Sequence, residues 1–162
     1  MKLSTQEEYG LRCILRVGRE GADASLTIPE LARAEGISEA NVAKMMRILR
    51  KGGLVRSTRG QSGGYSLARA PEEIAVGHVL AVLGGRIYDA NFCGTHAGSA
   101  PSPALCAHDS DCAIRQVWKT IQTAIDDVLA RLSLRDLLRS ESEMTSWAST
   151  KAPGLPSYSF RA

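Results

Sequence analysis

The apolar positions of the chain recur with a helical period over most of its length, and with a period of two in one short stretch. Between residues 5 and 20, Leu11, Ile14 and Leu15 fall at helical spacing and Gly18 and Gly21 mark an end, which predicts a first helix. Thr27 with Glu30 three residues on reads as a capping box, Pro29 is tolerated in the first turn, and the short helix it opens runs through Ala34 and stops at Gly36. Ser38 caps a third helix with the apolar stripe Val42, Met46 and Leu49. Asn41, Lys44, Arg47 and Lys51 fall on its other side, and Gly52 and Gly53 close it. The stretches 54–58 and 65–68 then alternate apolar and polar residues around the Gly-rich sequence of 59–64, predicting a β-hairpin. A fourth helix is expected over 74–83, with Val76, Val79, Leu80 and Leu83 on one face and His78 as an ordinary surface or core-edge residue. No periodicity is visible from Asn91 to Asp111. From Ala113 a long amphipathic helix is predicted, with Ile114, Val117, Ile121, Ile125, Val128 and Leu132 close to a heptad seam and Trp118 and Leu129 flanking it. Ser133 caps a shorter helix over 134–138, and the chain from Ser140 to its end reads as a disordered tail.

Two short helices joined by a tight turn and followed by a hairpin define a mainly α fold with a small β-wing. The expected organisation is a winged helix-turn-helix domain over 1–85, with the helix-turn-helix at about 28–51 and the wing at about 54–68. A cysteine-rich loop over 86–112, a dimerisation helix region over 113–139 and the tail over 140–162 complete it. A long apolar stripe outside a small winged domain has little in its own chain to pack on, so a homodimer is expected, which also suits a palindromic site.

Charge sharpens this reading. The formal net charge is only +3, but from Ala40 to Pro71 there are seven basic residues and no Asp or Glu, the footprint of a surface that meets a polyanion. In a winged helix, Asn41, Lys44 and Arg47 would face the major groove, with Asn suited to adenine and Arg to guanine edges. Ser38, Arg56 and Lys51 suit phosphate, although plain solubility serves Arg56 and Lys51 equally well. Arg59 at the wing tip is placed for a minor groove, and the wing residues Gln61 and Tyr65 complete the expected double-stranded DNA interface.

The longest apolar runs are only a few residues and acids occupy the N-terminal stretch, so neither a signal peptide nor a membrane span is expected and the protein reads as cytoplasmic. No phosphate-binding glycine loop and no Ser, His and Asp constellation is recognisable, which argues against an enzyme. Four cysteines in a reducing compartment point to metal or redox chemistry if they cluster. Cys93, Cys106 and Cys112 lie within 20 residues, a spacing suited to an iron-sulfur cluster or to zinc with one further ligand. His96, His108, Cys13, Glu7 and Glu8 are the candidates for that ligand, and Cys13 on the first helix better suits packing.

The stretches MKLSTQEEYGLR, LARAEGIS, RILRKGGLVRSTRGQSGGYSLAR and IAVGHVLAVLGG, together with the three-cysteine loop, resemble the bacterial iron-sulfur winged-helix regulators that include IscR, NsrR and RirA, from Met1 to about Leu138. The resemblance implies a homodimeric transcription factor whose cluster, of the 2Fe-2S or 4Fe-4S type, controls operator binding in response to nitric oxide, oxygen or redox state, or iron. The three loop cysteines carry over to Cys93, Cys106 and Cys112. In the nitric-oxide-sensing branch the fourth ligand is an acidic residue of the other subunit's first helix, a position that Glu8 occupies here. The IscR branch uses a histidine three residues beyond the last cysteine, where this chain has Arg115. The gap between the first two cysteines is twelve residues, rather than the five or six of the family. This leaves room for His96 or His108 as a ligand, or for a zinc or thiol-disulfide switch in the same loop.

Overall fold

The computed structural model describes residues 4–21, 24–58, 63–89, 112–140 and 142–146. Helix α1 (Thr5–Arg19) starts at a capping box in which the Ser4 hydroxyl accepts from the Glu7 N–H and the Glu7 carboxylate accepts from the Ser4 N–H. Helix α2 (Ile28–Glu35) carries the predicted Thr27/Glu30 box and ends at Gly36, whose φ of +64° is a left-handed conformation that glycine adopts without strain. Helix α3 (Glu39–Lys51) starts at Ser38. Strands β1 (Val55–Thr58) and β2 (Gly64–Leu67) pair antiparallel with Val55 opposite Leu67 and Thr58 opposite Gly64, each strand within one residue of its predicted bounds. The fourth helix begins later than its pattern suggested: a 3-10 turn at Pro71–Glu73 and the buried Ile74 precede α4 (Val76–Leu83), because Ala75 is held in a β-bridge to Ser133. Helices α5 (Ala113–Leu129) and α6 (Leu134–Leu137) complete the fold, with Ser133 and Asp136 forming a capping box for α6.

One apolar cluster holds these elements together. Ile14 and Val17 of α1, Leu31 of α2, Val42, Met45, Met46 and Leu49 of α3, Val79 and Leu83 of α4 and Leu134 of α6 are all buried in it. Met45 joins the predicted α3 stripe because a helix packed on two sides buries a wider arc than a three-residue stripe. Leu134 is fixed there by the Leu134 N–H donating to Ile74 O at 2.7 Å and by Val76 N–H donating to Leu132 O at 3.0 Å. By contrast, the N-terminal half of the seam on α5 stays at the surface of this chain, with Ile114 63% and Val117 54% exposed, while Ile125, Val128 and Leu132 are half-buried. At the start of the stretch read as a tail, residues 142–146 form a helical turn, with the Glu143 N–H donating to Ser140 Oγ and the Met144 N–H to Ser140 O. Ser140 and Glu143 are a local capping signal within a stretch whose composition suggested none. Residues 147–162 lie outside the described residues.

Two glycines of α1 should respond to alanine with opposite signs. At Gly18 an added Cβ meets only ordinary contacts, the nearest being Leu138 Cδ1 at 3.4 Å, so Gly18→Ala should stabilise by up to about 1 kcal/mol through helix propensity. At Gly10 the Cβ would lie 2.3 Å from Leu83 Cδ2, and Leu83 is itself buried. Overpacking at about 1–3 kcal/mol outweighs the propensity gain, so Gly10→Ala should lower the melting temperature where Gly18→Ala raises it. Thermal unfolding of the two variants checks this.

Candidate nucleic-acid interface

Every basic side chain predicted to face DNA from α3 is exposed. Asn41, Lys44, Arg47 and Lys51 are at the surface, Arg50 stands beside them, and none of the four cations forms an ion pair among the described residues. The opposite face of the helix holds Val42, Met45, Met46 and Leu49 against the core, so its position is set by packing and its charges are left to solvent. Ser38 accepts the Asn41 N–H on its Oγ and starts the helix, leaving its hydroxyl proton to donate outward.

The wing is fixed at its base. Tyr65 is half-buried against the core, and its backbone exchanges two hydrogen bonds with Leu26, at 3.0 and 2.8 Å. Arg56 donates from Nε to Ser66 Oγ at 3.0 Å and, with Arg69, Glu72 and Arg135, lines a cleft where the wing base meets the end of α1. Arg59 and Gln61, the predicted tip contacts, lie outside the described residues.

Of the candidate sensor side chains, Cys93, Cys106, His96 and His108 also lie outside the described residues. Cys112 is half-buried at the N-cap of α5, where its Sγ accepts the Arg115 N–H at 3.3 Å. Glu8 is exposed near the start of α1, whereas Glu7 is buried with its carboxylate committed to Ser4, which separates two acids that spacing alone left equivalent. No group of three metal-ligating side chains occurs among the described residues. Cys13 is fully buried. Burial pushes its thiol from 9.0 up to about 11, the nearby Glu35 carboxylate adds to this, and Arg12 opposes it. The folded state therefore holds this proton more tightly than the unfolded chain does. The resulting stability is complete below about pH 9 and is lost, at about 1.4 kcal/mol per pH unit, as the pH climbs toward 11. In metal-free protein at pH 8 a thiol reagent should modify Cys112 and leave Cys13 untouched until the chain unfolds, as peptide mass spectrometry would show.

One buried polar grouping had no signal in the pattern of the sequence. Gln122, a polar position on a helix whose other residues are exposed or half-buried, is buried; it accepts the Ile87 and Tyr88 N–H groups on Oε1 and donates from Nε2 to Asp126, which also pairs with Arg86.

A core-anchored helix-turn-helix whose cationic face makes no ion pair among the described residues, followed directly by a hairpin, defines a winged-helix DNA-binding regulator. The chain belongs to the Rrf2 family of iron-dependent transcriptional regulators, whose sequence pattern it matches over residues 3–140. It is 33% identical over 142 residues to protein rrf2 of Nitratidesulfovibrio vulgaris, spanning 88% of this chain and 90% of that one. Among solved structures it is similar to CymR, the global cysteine regulator of B. subtilis, at 30% identity and a TM-score of 0.64, covering 85% of this chain and 96% of that one. It is also similar to the IscR of T. potens, at 25% identity and a TM-score of 0.62 over 99% and 97% of the two chains. CymR of Bacillus subtilis and IscR of Aliivibrio salmonicida, 31% and 30% identical to this chain, are HTH-type transcriptional regulators. No helix among the described residues is long and apolar enough to cross a membrane.

Proposed function

We propose that this regulator acts as a cytoplasmic homodimer whose two α3 helices and wings read a palindromic DNA operator, and whose affinity is set by chemistry at Cys93, Cys106 and Cys112. The observation that carries the DNA reading is the exposed Lys44, Arg47, Arg50 and Lys51 face without ion pairs among the described residues. Asn41, Lys44 and Arg47 reach base edges, while Ser38, Arg56, Arg59, Gln61 and Tyr65 contact the backbone and flanking groove.

The cysteine chemistry is read first as an iron-sulfur cluster, supported by the iron-dependent description of the family and by a donor set of three thiolates with Glu8. The described part of that set fits: Cys112 already uses its sulfur as an acceptor, and Glu8 is exposed with no intrachain role among the described residues. When bound, a cluster supplies a centre that oxidants or nitric oxide attack. Glu8 from one subunit and Cys112 from the other then hold α1 and α5 in register. When the two are not held together, the spacing between the paired α3 helices changes. The second reading, a zinc or thiol-disulfide switch at the same cysteines, is favoured by the similarity to CymR, a regulator of cysteine. Anaerobic purification with iron, acid-labile sulfide and zinc analysis separates them: iron and sulfide in equal amounts support the cluster, and one zinc or no metal supports the switch. If Glu8→Ala keeps the wild-type absorption spectrum, operator affinity and response to oxidant, Glu8 is not a ligand.

A further inference from the structure

Gln122 uses both ends of its side chain to bind α5 to the chain that leads into the cysteine-bearing segment. Its Oε1 accepts from Ile87 N–H at 2.8 Å and from Tyr88 N–H at 3.3 Å. Its Nε2 donates to Asp126 Oδ1 at 2.9 Å, one turn further along α5, and Asp126 in turn receives both terminal nitrogens of Arg86, at 3.4 and 2.8 Å. At 4% exposure Gln122 is the buried residue of a helix whose Ile114, Val117 and Ile121 lie at the surface. A polar group is kept at such a position only when its hydrogen bonds are satisfied, and here both ends of the amide are.

The cysteine-bearing segment therefore starts and finishes on the same helix. Its entry is held at Gln122 and its exit is Cys112 at the N-cap, ten residues earlier, which places the two anchors about 15 Å apart along the axis. Upstream of the entry, Gln6 Nε2 donates to Leu83 O at 2.8 Å, and a Cβ on Gly85 would sit 3.0 Å from Glu7 Oε1. Val82 packs against Gly52 at the end of α3 closely enough that a Cβ there would lie 2.5 Å away. Residues 83–88 thus touch α5 on one side, and the start of α1 and, through Val82, the end of α3 on the other.

We propose that Gln122 is the positioning residue that couples α5, whose N-cap is Cys112, to the DNA-reading helix, by clamping residues 86–88 to α5 so that a displacement of α5 is carried through α4 to the end of α3. This rests on the reading that the cysteines control operator binding. The test measures operator affinity of the full-chain protein, purified without air, before and after its accessible cysteines are demetallated and alkylated, together with hydrogen exchange at the Ile87 and Tyr88 amides. Gln122→Ala should expose both amides to exchange and shrink the ratio between the two affinities at least fivefold, with the untreated affinity within about twofold of wild type. The exchange-of-roles variant Gln122→Glu with Asp126→Asn, which again offers an acceptor to the two amides and a donor from position 126, should restore protection and ratio. A Gln122→Ala protein that loses amide protection yet keeps the full wild-type ratio overturns the clamp, as does a double variant that restores protection without the ratio. A wild-type protein whose affinity ignores cysteine treatment overturns the sensing reading itself, a separate outcome.

Discussion

Val117→Asp is expected to convert the protein to monomers and to lower operator affinity at least a hundredfold while leaving the winged domain folded. Val117 is 54% exposed in the single chain, in a row with Ile114 at 63% and with Trp118 and Ile121 at 36% each. Contiguous large apolar side chains at this exposure mark an interaction surface, and on a long helix with near-heptad spacing that surface suits a second copy of the same helix. A carboxylate at its centre would be desolvated without a partner, which the interface cannot tolerate. Because Val117 lies outside the buried cluster, the melting temperature of the monomer domain should change little. The large effect on DNA comes from mass action: a dimer presents its second α3 and wing at high effective concentration, a gain of about 10²–10⁴ that a monomer forfeits. Sedimentation velocity and operator titration together check it. A dimeric Val117→Asp protein would place the self-association surface elsewhere.

Arg47→Glu is expected to abolish specific operator binding in the dimer. Arg47 lies on the middle of the exposed face of α3, one turn from Lys44, and makes no ion pair within the described chain, so its loss has no structural cost to confuse the result. A bidentate arginine contact to a base edge is worth about 1–3 kcal/mol, and a two-fold dimer holds two copies. Arg47→Ala should therefore weaken binding by about 2–6 kcal/mol in all, and reversal of charge adds repulsion from the phosphates. Fluorescence anisotropy across a series of salt concentrations distinguishes the roles. Loss of a phosphate contact would lower affinity for all sequences and reduce the salt slope by about one per subunit, whereas loss of a base contact lowers the preference for operator over random DNA.

What the sequence revealed and what it hid divide along the range of the interactions involved. Thr27 with Glu30, Ser38, and Ser133 before α6 act over three residues, and each could be read as a helix start because the hydrogen bond that makes it one is local. The basic face of α3 was legible because charge and the 3.6-residue period sit on the same short element. Gln122 was not, since its partners are 34 and 35 residues away and nothing in the helical pattern separates a buried glutamine from a solvated one. The distinction between Glu7 and Glu8 was hidden for the same reason. Adjacent acids look alike until the fold shows that one is consumed by the cap of α1 and lies under Gly85. Ser140 and Glu143 were readable in principle, but the Pro, Ser and Ala content of the following residues outweighed a cap of one turn.

The most direct test of the account is a single comparison of operator-binding isotherms at fixed salt. Protein purified without air is titrated before and after its cysteines are stripped of any bound metal and alkylated, with Cys13 protected by its burial. A change in operator Kd of tenfold or more is predicted, because the chemistry at Cys93, Cys106 and Cys112 is held to set the spacing of the two α3 helices. Superimposable isotherms would contradict it, leaving a DNA-binding protein whose cysteines have no part in its control.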